Sequence, residues 1–202
     1  VISLIDQLVA PGVVPLAHVV DNFSGDELDE RWTFRIIVGG GSGTISDVVD
    51  GGYTLTPNSS TNNSVEIDFA GIKHYDPVGC IQISTFQRTT TLGRAAIGLS
   101  NNENYGSNLY ALEIDSADTN LTVWSNDGSW SSSDTGIVDS ENVYKIQNTL
   151  NSTSGLTWID DSLSVVKTAN IPSVALQPIV YMQARSASAQ TARIRYMECY
   201  NT

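Results

Sequence analysis

Val143-Tyr-Lys-Ile-Gln-Asn-Thr-Leu150, Leu156-Thr-Trp-Ile159 and Leu163-Ser-Val-Val166 follow one another, parted only by Asn151 to Gly155 and by Asp160-Asp-Ser162. Each segment alternates apolar and polar side chains. A period of two turns one face of a segment toward a core and the other toward solvent, the mark of a half-buried strand. The Asn, Asp, Ser and Gly between them are turn residues, so each strand reverses into the next. The pattern continues in both directions. Upstream lie Thr33–Val38, Thr44–Val49, Tyr53–Thr56, Val65–Phe69, Val78–Gln87, Arg94–Leu99, Leu109–Ile114 and Leu121–Trp124. Downstream lie Pro178–Ala184 and Ala192–Tyr200. No convincing amphipathic helix interrupts the chain after Asp21. The reading is an all-β domain of two packed antiparallel sheets over residues 21–202, with no internal repeat or linker.

The chain has 202 residues, 41% hydrophobic and 16% charged, with a net charge of -12. That length supplies one large domain with a proper core. The negative charge opposes phosphate backbones, so no nucleic-acid partner is expected. It suits divalent cations. Cys80 and Cys199 belong to no C-x-x-C, which excludes a cysteine zinc site. They read either as two buried thiols or as one disulfide tying the last strand to the middle of the domain. Sequons at Asn22, Asn58, Asn62, Asn120 and Asn151 are candidate glycosylation positions. With the Ser/Thr/Asn-rich composition and a start at Val rather than Met, they lead us to expect a processed product at an extracellular, cell-surface or virion location.

Residues 1–20 are different. This arm, VISLIDQLVAPGVVPLAHVV, is largely aliphatic, yet Asp6, Pro11, Gly12, Pro15 and His18 keep it short of the ~18 apolar residues of a membrane span. Val1, Leu4, Ile5, Leu8 and Val9 form a helical stripe, while Val13 to Val20, interrupted by Pro15, reads as an extended edge strand; Ile2, Val14, Leu16 and Val19 join them as the candidate assembly residues of the arm. Such an arm is the first strand of its own domain, a segment donated to the next subunit through main-chain hydrogen bonds, or a membrane contact.

Asp21-Asn-Phe-Ser-Gly-Asp-Glu-Leu-Asp-Glu-Arg-Trp32 resembles the D-x-F-x-G-x-x-L-D-x-x-W opening of concanavalin A-like lectin/glucanase (LamG-like) domains. The Val143–Val166 hairpins with Ile171-Pro172, and the closing Ala192-Arg-Ile-Arg-Tyr-Met-Glu-Cys-Tyr200, resemble their later motifs in the same order. The resemblance implies a jelly-roll sandwich from Asp21 onward. It says little about function, because that fold carries lectins, hydrolases, adhesins and virion proteins. Asp161-Ser162 stands where those domains have Asp-Gly. Arg195 replaces an Asp that can serve a structural calcium, which counts against calcium by analogy. Asp26, Asp29 and Glu30 remain candidate calcium ligands, set against the reading of a solvated acidic turn.

One glycoside-hydrolase family of this fold carries Glu-x-Asp-x-x-Glu. Glu66-Ile-Asp68 and Glu113-Ile-Asp115 match its first two acids, but the third position is Gly71 or Asp118. Retaining hydrolysis needs two carboxyl groups about 5 Å apart, and Glu-Ile-Asp is also how an exposed strand face reads. We therefore expect no enzyme. No G-x-S-x-G elbow accompanies the histidines, and Gly39–Gly43 precedes neither Lys nor a helix. Trp32, Trp124 and Trp158 read as core. Trp130, in the polar stretch Asn126-Asp-Gly-Ser-Trp130, is the candidate carbohydrate platform, with Asn126 and Asp127 taking hydroxyls. The leading expectation is a non-enzymatic structural subunit of an extracellular or virion assembly, a self-associating polymer joined by the arm. The alternative is a carbohydrate-binding, lectin-like or adhesive module with glycan partners, and behind it a glycoside hydrolase. Calcium is the one candidate cofactor.

Overall fold

A computed structural model describes residues 18–24, 27–45, 51–69, 75–89, 92–101 and 108–202. Fifteen strands run through them: β1 (His18–Asp21), β2 (Thr33–Val38), β3 (Gly41–Ile45), β4 (Tyr53–Pro57), β5 (Ser64–Asp68), β6 (Cys80–Arg88), β7 (Arg94–Ser100) and β8 (Leu109–Asp115). Then come β9 (Asn120–Asn126), β10 (Trp130–Val138), β11 (Val143–Leu150), β12 (Gly155–Ile159), β13 (Ser162–Lys167), β14 (Gln177–Gln183) and β15 (Ala192–Asn201). One sheet runs β13-β12-β11-β6-β15-β4-β3, with β1 added beside β15; the other runs β10-β9-β8-β7-β14-β5-β2. Neighbouring strands are antiparallel. The two-sheet jelly-roll sandwich is as expected, and its order shuffles strands distant in sequence.

Alternation decides the core. Ile97, Leu112, Ile114, Val123 and Val180 of the seven-stranded sheet meet Phe86, Ile146, Ile194 and Met197 of the eight-stranded one, all fully buried. Each such side chain contributes about 1.5–3 kcal/mol by leaving water. A polar thread crosses this interior. Tyr110 Oη lies 3.0 Å from Thr157 Oγ1, which donates to Asn148 Oδ1 at 2.8 Å; Asn148 in turn donates to Gln82 Oε1 at 2.9 Å. The Tyr110 ring also explains Gly155: a Cβ there would stand 2.1 Å from the ring.

The opening motif acts as a clasp. Asp21 Oδ1 accepts the Phe23 N–H and Oδ2 accepts the Trp32 indole N–H, each at 2.7 Å. That holds Phe23 at a φ of 49° with its ring 5.4 Å from Trp32. Asp160 and Asp161, at φ 50° and 64°, make the turn between β12 and β13. Asp tolerates this left-handed pair better than most residues, so the missing Gly is no obstacle. Val19, called part of the arm above, is buried at 6% exposure in the sandwich's own core, and β1 pairs with Met197–Tyr200.

Three expectations need correcting. Residues 130–138 were not read as a strand, yet they form β10. Only Trp32 of the three expected core tryptophans is in the core: Trp124 and Trp158 point out of the sandwich from opposite sheets. β3 begins inside the glycine run, at Gly41, which was read as a loop; residues 46–49 of the expected strand lie outside the described residues.

Candidate functional site

The outward face of the seven-stranded sheet gathers chemistry from strands far apart in sequence. Register sets Gln177, Ser100, Leu109, Asn126 and Trp130 in one row. The next row is Ile179, Gly98, Ala111, Trp124 and Ser132. A third holds Arg35, Glu66, Tyr181, Ala96, Glu113 and Thr122. Arg94 and Asp115 open a fourth row. Leu109, Ala111 and Ile179 form a second apolar cluster against Trp124, separate from the sandwich core.

The β9–β10 edge of this face is its accessible part. Trp130 is 48% exposed and meets Trp124 edge-on, with ring centroids 5.7 Å apart at 84°. Thr122, Ser132 and Asp134 flank the two rings. Asn120 Nδ2 donates to Asp134 at 3.0 Å, and the Gly136 N–H and this amide hold the Asp134 carboxyl below its usual range. The Trp124 indole N–H and both amide atoms of Gln177 are buried without a hydrogen bond. Of the three residues expected to bind sugar, Asn126 and Trp130 are cross-strand partners on this face. Asp127 lies at the adjoining turn, where it accepts the Ser173 hydroxyl at 3.1 Å.

Toward the other end lie the acids. Glu66, Asp68, Glu113 and Asp115 all point outward, as alternation implied, yet none exceeds 5% exposure. Arginines offset the charge of three of them. Arg94 Nη2 lies 2.5 Å from Glu113 Oε2, Arg185 forks onto both oxygens of Asp115, and Arg35 onto both of Asp68. Glu113 and Asp115 stand two residues apart on one face, about 7 Å along a strand. The three arginines are the site residues that the sequence did not single out; they come from β2, β7 and the chain after β14.

Elsewhere the expected sites fare unevenly. Asp29 is bound to Arg31 Nε and Nη2 at 2.8 and 3.0 Å, Glu30 is exposed, and Asp26 lies outside the described residues. Arg195 donates to Gln87 at 3.3 Å and brings a cation to the position where the resembled domains have Asp. Among the described residues no three His, Cys, Asp or Glu side chains come together as ligands. A cavity of about 520 Å³ beside Phe23, Leu28, Ile45 and Tyr196 offers mainly Asp21, Asp29 and Arg31, already engaged with one another or with the chain. Cys80 and Cys199 are free thiols 4.0 Å apart and fully buried, and burial pushes the Cys199 thiol up. Asn58 and Asn62 are exposed between β4 and β5. Asn22, Asn120 and Asn151 are tied to Ser24, Asp134 and Ser154. The arm residues Val1, Ile2, Leu4, Ile5, Leu8, Val9, Val13, Val14 and Leu16 lie outside the described residues. No helix among the described residues is long and apolar enough to cross a membrane.

No family model and no curated protein matches the sequence. Solved structures do match the fold. A native glycosidic hydrolase superposes with a TM-score of 0.66 at 13% identity, over 91% of this chain and 95% of its own. A prokaryotic β-1,3-1,4-glucanase (lichenase) from a mouse hindgut metagenome gives 0.65 at 14%, over 92% and 99%. The carbohydrate recognition domain of Emp47p gives 0.64 at 16%, over 92% and 96%. These neighbours overturn two expectations, the assembly subunit and the chain without enzymatic activity. These three solved structures are named as a glycosidic hydrolase, a glucanase and a carbohydrate recognition domain. The chain has the concanavalin A-like jelly-roll fold of lectins and glucanases.

Proposed function

We propose that this chain is a carbohydrate-binding domain that holds a glycan against the outward face of the seven-stranded sheet. The half-exposed Trp130, braced edge-on by Trp124, carries this reading. An indole face matches the apolar C–H face of a pyranose. Ser132 and Asp134, exposed on the same edge strand, offer hydrogen bonds to its hydroxyls. The lectin and glucanase neighbours agree with it. Isothermal titration with neutral oligosaccharides tests it: Trp130→Ala weakens binding about tenfold, or ~1.4 kcal/mol, at unchanged folding. Equal affinity in both proteins defeats the reading.

A second reading, glycoside cleavage, is favoured by Glu113 and Asp115 projecting from one face about 7 Å apart. One carboxyl would have to carry a proton and the other attack or activate water. Oligosaccharide binding would therefore have to draw Arg94 or Arg185 off its carboxylate. Reducing-sugar release by the full chain that vanishes in Glu113→Gln, with binding retained, supports this reading. Release that persists in that variant rejects Glu113.

A further inference from the structure

The outward face of the eight-stranded sheet carries an apolar stripe that belongs neither to the core nor to the site above. Register sets Tyr200, Ile81, Leu156 and Val166 in one row across the sheet, and Val20, Ile83, Trp158 and Leu163 in the next. Val20, Leu163 and Val166 are 46, 52 and 56% exposed, and the other five are half-buried. Thr149 and Gln147 interrupt the rows with neutral polar groups. His18 and Glu198 stand within the two rows and are hydrogen-bonded to one another, Nε2 to carboxylate at 3.0 Å, and Lys145 Nζ sits 2.6 Å from Asp161.

The dimensions say what fits. Six strands spaced about 4.8 Å apart make the stripe about 24 Å long, and two rows make it about 7–10 Å wide. That area, roughly 200 Å², falls far short of the ~800 Å² that each partner of a stable protein complex buries. A second copy of the chain is therefore poorly served by it. A long, narrow, uncharged ligand with apolar and hydroxyl surfaces is well served. We propose that this stripe is a second polysaccharide-binding surface, on which a neutral polysaccharide chain lies across the strands. Its rings pack on Trp158, Tyr200 and the aliphatic side chains, and its hydroxyls meet Gln147, Thr149 and Glu198. The proposal stands apart from the site above, because the two faces lie on opposite sides of the sandwich.

Native affinity electrophoresis tests it, with gels cast in mixed-linkage β-glucan, hydroxyethyl cellulose or galactomannan. Leu163→Ser combined with Val166→Ser changes two exposed positions, and Trp158→Ala changes the central ring. Both proteins are checked for native circular dichroism. Each should need at least fivefold more polysaccharide for half-retardation, while calorimetric binding of a short oligosaccharide at the other face stays unchanged. Retardation unaffected by these variants overturns the proposal, as does a wild type that no gel retards. A wild-type dimer dissociated by the double substitution overturns it too, because the stripe would then be covered by a second copy. Polymer retardation lost only in Trp130→Ala also rejects the stripe and leaves the other face as the site. Retardation lost only in the stripe variants, with no short-oligosaccharide binding, rejects the other face instead.

Discussion

Trp130 stands edge-on to Trp124 across the β9–β10 pair, ring centroids 5.7 Å apart, at the accessible margin of a sheet face that is otherwise buried. The contact fixes the exposed ring without burying it. Trp130→Ala should therefore cost binding and leave stability within about 1 kcal/mol, since a half-exposed aromatic contributes little beyond its edge contact. Thermal unfolding beside titration separates the two effects. A large fall in Tm would make Trp130 a packing residue instead.

Glu113 is 2% exposed and bound to Arg94. Removing one partner of a buried ion pair strands the other, at a cost of about 3–5 kcal/mol. Arg94 keeps 22% side-chain exposure and also lies 3.9 Å from Asp115, so the lower end is expected for Glu113→Ala. Urea denaturation measures it. A loss below 1 kcal/mol would mean that Asp115 takes over as partner.

Gly155→Ala places a methyl 2.1 Å from the Tyr110 ring, itself locked to Thr157. Overpacking of this kind costs about 1–3 kcal/mol. Tyr110→Leu should be less harmful in the Gly155→Ala background than in the wild type. A double-mutant cycle showing no coupling would contradict the contact.

Alkali should unfold the protein cooperatively. Burial raises the Tyr53 phenol to about 12 and raises Tyr75, Tyr110 and Tyr181 as well. A phenol raised in the folded state leaves full stability below its unfolded value of about 10. That stability is lost as pH climbs toward the folded value. Tyr53 alone accounts for about 2–3 kcal/mol over this interval. Tyrosinate absorbance should rise in one step together with loss of near-ultraviolet dichroism between pH 10 and 12. Gradual titration without unfolding would contradict the buried phenols.

Cys80 and Cys199, 119 positions apart in sequence, bring their thiols to 4.0 Å. Refolding with glutathione disulfide should join them, each protein disulfide releasing two glutathiones and lowering the mass by about two units. Closing so long a loop stabilises by about 4–5 kcal/mol in the chain-entropy estimate. Two titratable thiols after such refolding would show that the strands hold them apart.

Much of this architecture is legible in residue order. Val143–Leu150 was delimited correctly, and the neighbouring strands to within a few residues, because alternation and turn chemistry agree there. β10 was missed because Trp130-Ser-Ser-Ser-Asp134 has no apolar alternation; as an edge strand it buries only part of one side. Trp124 and Trp158 were placed inside because a strand's two faces are equivalent until its partners are known. Thr157 takes the inward position beside Trp158 through its bond to Asn148. The Glu-Ile-Asp pairs read as an exposed face; they turn away from the sandwich core, yet all four acids are buried. Three of them are paired with Arg35, Arg94 and Arg185, which only the strand order brings near.

The most direct test is a ¹⁵N–¹H spectrum of the full chain titrated with a neutral oligosaccharide, following the indole N–H signals. The account predicts that Trp124 and Trp130 shift together and saturate, while Trp32, closed in the core with its N–H on Asp21, stays still. Saturable binding that leaves Trp124 and Trp130 unmoved, or no binding across a broad glycan panel, would contradict it.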